Sequence, residues 1–431
     1  MYLNIEYGSK GPYTDLGCSP EITKELINYL NSMVGKAKEL HIALYLFNND
    51  YLWSALKKLS ESDCNVYIYS IPLEGYDNDR AVPIINQKNG TNMGKKTKLD
   101  FAETIYTEAK KCNLNNLHFY IMPHMYLRSS KVYAFSRGSM PYSLHCKTLF
   151  LKCYNGDNYA GITSSNLAVR DAQKIELVFL DKLGPNESIS AMDFFQGLKQ
   201  NSIPISSFDD TADYYHYQII MRPTPPKSRL MFTAPFYANS ASNFEKNIES
   251  IINKANERLV VCAQHVCAYQ YFYNGVFSTV EPNRRIKKNG FLDSVLKKAS
   301  SGIPVKLISQ TYVDRNGTHG CRAPENKKAF INFTTAAQEN NCNYYTNPNL
   351  HAKYIIADNH VIITTCNFTP TQFIYLDNVN IPTFEHIPGH SYSGIHCEFG
   401  VYAVRTSKEL ADYMMMQTNS IIQNSETRQM F

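Results

Sequence analysis

The order of predicted secondary structure repeats once along this chain, and that repeat limits the possible folds more than any other feature. In the first half, hydrophobic periodicity predicts a helix over 21–39 and a strand over 40–47, followed by further helices and strands to residue 122. In the second half, a helix over 243–257 and a strand over 258–266 begin the same order. Alternating helices and short strands are typical of α/β folds, so the repeat predicts two similar α/β/α sandwich halves related by a pseudo-two-fold axis.

The boundary between the halves lies in a proline-rich stretch. Pro223, Pro225 and Pro226 interrupt regular structure near the middle of the 431 residues. The sequence therefore predicts an N-terminal half over 1–205, a linker over 206–230 and a C-terminal half over 231–431. Because both halves belong to one chain, we expect a monomer to be sufficient for an active site.

Composition places the chain among ordinary globular proteins. Hydrophobic residues make up 44% and charged residues 19% of it, which excludes collagen-like, coiled-coil and wholly disordered classes. The net charge of +5 is a mild basic bias, compatible with a nucleic-acid partner but insufficient to require one. The sequence shows no secretory signal and no apolar run of about 18 residues, so we expect no transmembrane segment and a cytoplasmic location.

The eleven cysteines exclude two further classes. They are scattered and contain no Cys-x-x-Cys pair, unlike those of a disulfide scaffold or a zinc ribbon. Cys262, His265 and Cys267 lie close together, but the stretch around them is apolar, which favours a buried strand over a metal site. The sequence therefore predicts no metal site and no cofactor.

A pair of residues suited to chemistry precedes a predicted hairpin in the second half. His351 and Lys353 are two positions apart, so on a strand their side chains point to one face. An Asp-Asn dipeptide at 358–359 predicts a tight turn, which places Lys353 opposite Thr364 and brings His351 beside Asn367. A histidine, a lysine, a hydroxyl and an amide are thus expected on one small patch.

The first half contains the same arrangement. His145 and Lys147 are again two positions apart, and the Asn-Gly dipeptide at 155–156 is a strong hairpin signal. A turn centred there places His145 opposite Asn166 and Lys147 opposite Ser164. An isolated His-x-Lys carries no information, but two copies in matching halves, each with a Ser/Thr and an Asn on the return strand, indicate function.

Such a cluster suits a phosphodiester substrate. Lysine and asparagine bind non-bridging oxygens and stabilise the charge that develops in the transition state. One neutral histidine attacks phosphorus, and a second, protonated histidine donates its proton to the leaving oxygen. Each half supplies one histidine, so the sequence predicts a single composite site between the halves.

These motifs resemble those of the phospholipase D superfamily. His351, Lys353 and Asp358 match its HxKxxxxD motif, and Thr365 and Asn367 resemble its GSxN element. The resemblance implies a duplicated phospholipase D-like fold over most of the chain, a phosphohistidine intermediate and independence from metal ions.

The first half fits the family pattern less fully. His145, Lys147, Ser164 and Asn166 match it, whereas Lys152 stands where the motif has an aspartate. Because that position lies near the predicted turn, away from the histidine and lysine, its loss need not abolish activity.

The resemblance also implies roles for individual residues. By the usual order of the family, His145 is the nucleophile and His351 the general acid. A carboxylate beyond the asparagine orients the imidazole in this family, and Glu176 and Glu398 occupy equivalent places in the two halves.

Two substrate classes remain open, besides a scaffold without activity, against which the intact motifs argue. A nuclease or other nucleic-acid phosphodiesterase, similar to the nuclease and tyrosyl-DNA phosphodiesterase members, is favoured by Lys152 and by basic loops expected to contact phosphates. These loops contain Lys95, Lys96, Lys98, Arg284, Arg285, Lys287 and Lys288. The alternative is a phospholipase D or phosphatidyltransferase that acts on phospholipid.

Overall fold

The structure is a computed structural model, and it describes most of the chain between residue 13 and the C-terminus. The described ranges are 13–45, 47–71, 74–77, 80–83, 104–112, 114–122, 144–167, 174–208, 220–238, 240–266, 290–313, 319–320, 334–368 and 399–431.

Six helices have defined bounds. They are α1 (Ser19–Ser32), α2 (Asp50–Glu61), α3 (Pro185–Gln200), α4 (Ser240–Asn253), α5 (Gly290–Ser300) and α6 (Lys408–Gln423). Residues 104–111 and 334–339 are helical as well. Local capping explains several helix starts: the Asn49 side chain accepts a hydrogen bond from the Leu52 amide at 3.1 Å at the start of α2.

The first large sheet has eight strands. They are β1 (Tyr13–Cys18), β2 (Ala37–Leu44), β3 (Asn65–Ser70), β6 (Leu117–Ile121), β7 (Thr148–Cys153), β8 (Asn158–Thr163), β9 (Ile175–Lys182) and β10 (Ile203–Pro204). Their order across the sheet is β1-β9-β8-β7-β2-β3-β6-β10. A separate two-stranded sheet pairs β4 (Glu74–Asp77) with β5 (Arg80–Pro83).

The second large sheet also has eight strands. They are β11 (Leu230–Thr233), β12 (Leu259–Ala263), β13 (Val305–Gln310), β16 (Asn343–Asn347), β17 (Tyr354–Ala357), β18 (His360–Thr364), β19 (Gly400–Thr406) and β20 (Arg428–Gln429). Their order is β11-β19-β18-β17-β12-β13-β16-β20. Here too a two-stranded sheet, β14 (Tyr312–Val313) with β15 (His319–Gly320), is separate.

The two large sheets have the same topology. In the first, β2, β3 and β6 run parallel, and the hairpin β7–β8 pairs antiparallel with β2. In the second, β12, β13 and β16 run parallel, and β17–β18 pairs antiparallel with β12. This match confirms the predicted α/β fold with a duplicated half.

Contacts divide the described residues into two compact units. The first contains those up to residue 238 together with 399–401, and the second contains the others from residue 240 onward. The half boundaries at 205 and 231 stay a prediction from the sequence.

The first helix is shorter than the sequence predicts. It ends at Ser32, and Gly35 adopts a φ of +73°, in the left-handed region that favours glycine. Strand β2 then begins at Ala37, so residues 37–39 are strand. Hydrophobic residues keep a helical spacing across Gly35, and the pattern alone therefore extended the helix too far.

Helix α6 packs an apolar stripe on the protein core. Its buried residues recur with the helical period and are Leu410, Ala411, Met414, Thr418 and Ile421, whereas Met416 is exposed. In the part of the chain that the structure describes, each helix is too short or too polar to cross a bilayer.

Candidate active site

The second-half hairpin has the register that the sequence predicts. Ala357 pairs with His360, and the amide of Thr364 donates to the carbonyl of Lys353 at 3.2 Å. Asp358 adopts a φ of +52° in the turn, a conformation that aspartate and asparagine tolerate better than most residues. Lys353 therefore lies opposite Thr364.

The first-half hairpin has a three-residue loop in place of the predicted two-residue turn. The amide of Gly156 donates to the carbonyl of Cys153 at 3.1 Å, and the amide of Cys153 donates to the carbonyl of Asp157 at 2.9 Å. Gly156 has a φ of +87°. This geometry is that of a hairpin in which a turn is followed by a left-handed glycine.

The longer loop shifts each cross-strand pair by one residue. The amide of Thr163 donates to the carbonyl of Lys147 at 3.0 Å, so Lys147 lies opposite Thr163 and the predicted pairing with Ser164 is wrong. The cross-strand bonds that the structure describes for this hairpin end at this pair, so the predicted pairing of His145 with Asn166 stays a prediction. With this correction the two halves agree, because each lysine lies opposite a threonine.

A clamp between lysine and histidine is present in both halves. The Nζ of Lys147 donates to the carbonyl oxygen of His145 at 2.8 Å, and the Nζ of Lys353 donates to that of His351 at 2.6 Å. Both lysines are 0% exposed, and the two histidines are 9% and 2% exposed. Each half therefore holds an ammonium group against the backbone of a buried histidine, in a water-poor environment where electrostatic interactions are strong.

The surroundings of Lys147 combine an aromatic ring with tight apolar packing. Its Nζ lies 5.3 Å from the centroid of the Tyr45 ring, and that ring meets the imidazole of His145 edge to face at 5.2 Å. The lysine lines a small cavity of about 10 Å³ together with apolar neighbours that include Ile42 and Val178. The lysine stem is thus held in one place.

The site in the second half borders a buried thiol. Cys262 lies within β12, is fully buried and has a thiol pKa raised by burial to about 12. The thiol is therefore protonated at neutral pH, and the predicted buried strand at Cys262 is confirmed. Among the described residues, no three His, Cys, Asp or Glu side chains are grouped so that they could hold a metal ion.

Ser164 and Glu176 contact each other in the first half. The Ser164 hydroxyl donates to Oε2 of Glu176 at 2.5 Å and accepts a bond from the amide of Leu177 at 2.8 Å. Glu176 is 0% exposed, so its carboxylate is held inside the protein. Its role in orienting the imidazole of His145 stays a prediction.

The two predicted asparagines follow the return strands at equivalent positions. Asn166 is half-buried, and Asn367 is buried. The next residue is tied down in both halves: Asn49 Nδ2 donates to the carbonyl of Leu167 at 3.0 Å, and the amide of Phe368 donates to a carbonyl just after β12 at 2.9 Å. The backbone that carries each asparagine is therefore fixed.

Asp358 lies at the far end of its hairpin, roughly 16 Å along the strand from Lys353. Its carboxylate accepts bonds from the amides of Asn256, Glu257 and Arg258 at 2.9, 2.8 and 3.0 Å. Burial by itself would raise the pKa of this carboxyl, but the three backbone donors outweigh it and the pKa lies below its usual value. The structure thus places Asp358 in the turn, away from the lysine.

Lys152, which replaces the motif aspartate in the first half, also lies far from the histidine. Its Nζ forms an ion pair with Glu39 at 2.9 Å, and Glu39 binds Nε2 of His41 at 2.8 Å. The hydrogen bond from His41, aided by Lys152, lowers the pKa of Glu39 to about 2. The departure at Lys152 therefore leaves the contact between His145 and Lys147 intact.

Several predicted site residues lie outside the described residues. They are Glu398 and the basic-loop residues Lys95, Lys96, Lys98, Arg284, Arg285, Lys287 and Lys288. Their proposed roles stay predictions from the sequence.

Sequence reasoning missed Tyr45 and the importance of Thr163. Tyr45 directly follows β2, and β2 runs antiparallel to β7, so the end of β2 lies beside the residues that precede β7. Only the pairing of these two strands reveals that contact. Thr163 was missed because a one-residue error in the register exchanged it with Ser164.

Neither a protein-family model nor a curated protein matches the sequence. Solved structures do match the fold. A phosphatidylserine synthase from Haemophilus influenzae Rd KW20 has a TM-score of 0.54 and is 12% identical over 96% of this chain and 87% of its own.

Two further solved structures are similar over most of the chain. A polyphosphate kinase from Porphyromonas gingivalis has a TM-score of 0.51 and is 9% identical over 97% of this chain. The match covers 48% of the kinase, so this chain spans about half its length. Yeast tyrosyl-DNA phosphodiesterase has a TM-score of 0.46 and is 9% identical over 92% of this chain and 90% of its own.

The sequence identity of these structures to this chain is low, so the similarity is one of fold alone. All are members of the phospholipase D superfamily. The fold of this chain is therefore similar to those of the phosphatidylserine synthase and the polyphosphate kinase, in agreement with the resemblance drawn from its two His-x-Lys hairpins.

Proposed function

We propose that this protein is a metal-independent phosphodiesterase that hydrolyses its substrate through a phosphohistidine intermediate. The observation that carries the proposal is the repeated clamp, in which a fully buried lysine ammonium is bonded to the carbonyl of a buried histidine in both halves. Burying an ammonium is costly unless its charge is used or compensated. Two such ammonium groups, each hydrogen-bonded to the backbone carbonyl of a histidine, supply positive charge that suits the binding of an anionic phosphate.

The proposed reaction has two steps. A nitrogen of the neutral imidazole of His145 attacks phosphorus, the bond from phosphorus to the leaving oxygen breaks, and protonated His351 donates its proton to that oxygen. Water then attacks the phosphohistidine while His351 takes a proton from it, the phosphorus–nitrogen bond breaks, and His145 is released. Both histidines must act on the same phosphate for this sequence to run.

The other site residues support these steps in our proposal. Lys147 and Lys353 bind non-bridging oxygens together with Asn166 and Asn367, and so stabilise the charge of the transition state. Their neighbours Ser164 and Thr365 assist in substrate binding, and Glu176 and Glu398 orient the two imidazoles. Asp358 contributes through the turn that it supports.

We propose nucleic acid as the substrate class, nearer to the nuclease and tyrosyl-DNA phosphodiesterase members than to the lipid enzymes. The net charge of +5 supports this, as do the two basic loops that contain Lys95, Lys96, Arg284 and Arg285. A lysine in place of the first motif aspartate is a further departure that we associate with nucleic-acid members. The second candidate is phospholipid, the class named for the phosphatidylserine synthase that shares this fold.

The test is a substrate panel offered separately with EDTA present. The panel contains single-stranded DNA, duplex DNA, RNA, inorganic polyphosphate and phospholipid vesicles. We expect cleavage of a nucleic acid, undiminished by EDTA and weakened steeply by salt, because neutralised phosphates release counterions. Cleavage of vesicles alone would replace nucleic acid by phospholipid as the substrate.

The intermediate is tested with the two histidine variants. His145→Ala should form no phosphoenzyme, whereas His351→Ala should accumulate it with an activated leaving group. Acid-labile, base-stable label on His145 in mass spectrometry is the expected result. Label on His351 would exchange the two roles, and activity that depends on added metal would exclude the proposed mechanism.

A further inference from the structure

We infer that Tyr45 is a positioning residue of the first half-site, holding the imidazole of His145 and the ammonium of Lys147 in place. This inference rests on the proposed function. It concerns a residue that no motif identifies and whose ring contacts both members of the clamp.

The geometry is specific to an aromatic ring. The Lys147 ammonium lies over the Tyr45 ring, 5.3 Å from its centroid, and the His145 imidazole meets that ring at 5.2 Å with 70° between the planes. A cation is attracted to the negative face of an aromatic ring, and aromatic rings prefer edge-to-face contact over other close arrangements. One side chain thus restrains both reacting groups, in addition to the carbonyl that binds the ammonium.

The second half has no aromatic residue at the equivalent position. Ala43 pairs with Thr148, three residues after His145, and Cys262 pairs with Tyr354, three residues after His351. Tyr45 and Gln264, each two residues further along, are therefore equivalent.

Gln264 has a different role. Its Nε2 donates to Oε1 of Gln310 at 3.0 Å, and the Nε2 of Gln310 donates to the carbonyl of Pro348, shortly before His351. Hydrogen bonds support the segment that precedes the second histidine. In the first half, an aromatic ring restrains the histidine itself. Tyr45 therefore makes the two half-sites chemically unequal, and its loss should slow the step in which His145 attacks more than the later hydrolysis.

The experiment compares Tyr45→Phe, Tyr45→Leu and Tyr45→Gln by rapid-quench kinetics. Tyr45→Phe keeps the ring and should retain kcat within about twofold. Tyr45→Leu keeps apolar volume without a π face, and Tyr45→Gln introduces the residue of the second half. Both should slow phosphoenzyme formation about 10–30-fold, with less than about threefold change in KM and in the rate of phosphoenzyme hydrolysis.

Tyr51→Leu is the matched control, because this tyrosine follows a few residues later and is 73% exposed. It should leave both rates unchanged. Equal rates in Tyr45→Leu and the wild-type protein would overturn the inference, as would a loss in Tyr45→Phe as large as in Tyr45→Leu, which would assign the effect to the hydroxyl.

A measurement without substrate separates this inference from the proposed function. The imidazole resonances of His145 in NMR spectra should move in Tyr45→Leu and stay nearly unchanged in Tyr45→Phe. If the wild-type protein cleaves no phosphodiester, the proposed function is wrong, and these resonances still decide whether the ring positions the imidazole. Unmoved resonances in Tyr45→Leu would contradict the inference by themselves.

Discussion

The two hairpins are alike at the end that carries histidine and lysine and different at the end that carries the turn. In the second half, Asp358 binds three backbone amides that include that of Arg258. In the first half, Lys152 at the motif position forms an ion pair with Glu39 on the paired strand. The acidic partner is thus on the hairpin in one half and on the neighbouring strand in the other.

This difference separates two roles that the family motif combines. The His-x-Lys portion is the same in both halves down to the bond between ammonium and carbonyl. The fifth residue after the lysine stabilises the junction between the turn and the preceding strand, and either charge arrangement achieves this. A departure from the motif at Lys152 is therefore a change in structural support.

The largest effect should come from the end that the hairpins share. Lys147→Met and Lys353→Met keep the apolar stem and remove the charge, so each should lower kcat on the order of 10²–10³-fold, the size expected for a lost transition-state donor. Lys182→Met, at a lysine paired with Asp157 on the protein surface, is the control and should retain full activity. If one of the two buried lysines proves dispensable, the halves do not contribute equally to phosphate binding.

The next effect tests the turn. Asp358→Ala leaves three backbone amides without their acceptor and should lower the free energy of unfolding by about 3 kcal/mol. Lys152→Ala removes a partly exposed ion pair and should cost about 0.5 kcal/mol. Chemical denaturation of both variants measures the difference, and a cost for Lys152→Ala as large as that for Asp358→Ala would show that the two turns are supported equally strongly.

Acid should weaken the first-half turn in two stages. Burial lowers the pKa of His41 below its usual 6.5, so as the pH falls below 6.5 the unfolded chain binds this proton first and stability declines. Glu39, with a pKa of about 2 in the folded protein and 4.5 ordinarily, loses its contribution as the pH falls from 4.5 toward 2. We expect a loss on the order of 2 kcal/mol by pH 3.

Thermal unfolding between pH 8 and pH 3 measures this decline. His41→Phe should remove the stage that begins at pH 6.5, and Glu39→Gln the stage below pH 4.5. A stability curve that stays flat between pH 6.5 and pH 4.5 in the wild-type protein would show that His41 is protonated as readily in the folded chain as in the unfolded one.

The last variant is the sharpest test of the comparison. Lys152→Asp restores the family motif in the first half, yet it places an aspartate opposite Glu39 and should destabilise the protein by about 1 kcal/mol. A comparison of two double variants isolates the charge: Lys152→Asp with Glu39→Arg should be more stable than Lys152→Asp with Glu39→Gln, because both lack the bond to His41 and only the former pairs opposite charges. A Lys152→Asp variant that melts above the wild-type protein would show that the motif aspartate is favourable in either context.

The sequence predicted the repeated order of elements because hydrophobic periodicity is a local property that reports which face of a helix or strand is buried. It also predicted the second hairpin, since an Asp-Asn dipeptide between two apolar runs indicates one tight turn between two strands. The Asn-Gly dipeptide at 155–156 misled by one residue because glycine fits two loops, a two-residue turn and a three-residue loop with a left-handed glycine. The backbone hydrogen bonds of the hairpin distinguish these two loops, and the dipeptide alone does not reveal which bonds form.

What the sequence by itself determined is therefore the duplicated fold and the residue pairs that carry histidine and lysine, because both depend on spacing along one strand. Only the tertiary structure decided that Tyr45 contacts His145, that Glu39 forms an ion pair with Lys152 and that three backbone amides donate to Asp358. These contacts join residues about a hundred positions apart, brought together by the antiparallel pairing of β2 with β7 and of β12 with β17. The register of those pairs is set by the packing of whole sheets, and no short segment contains that information.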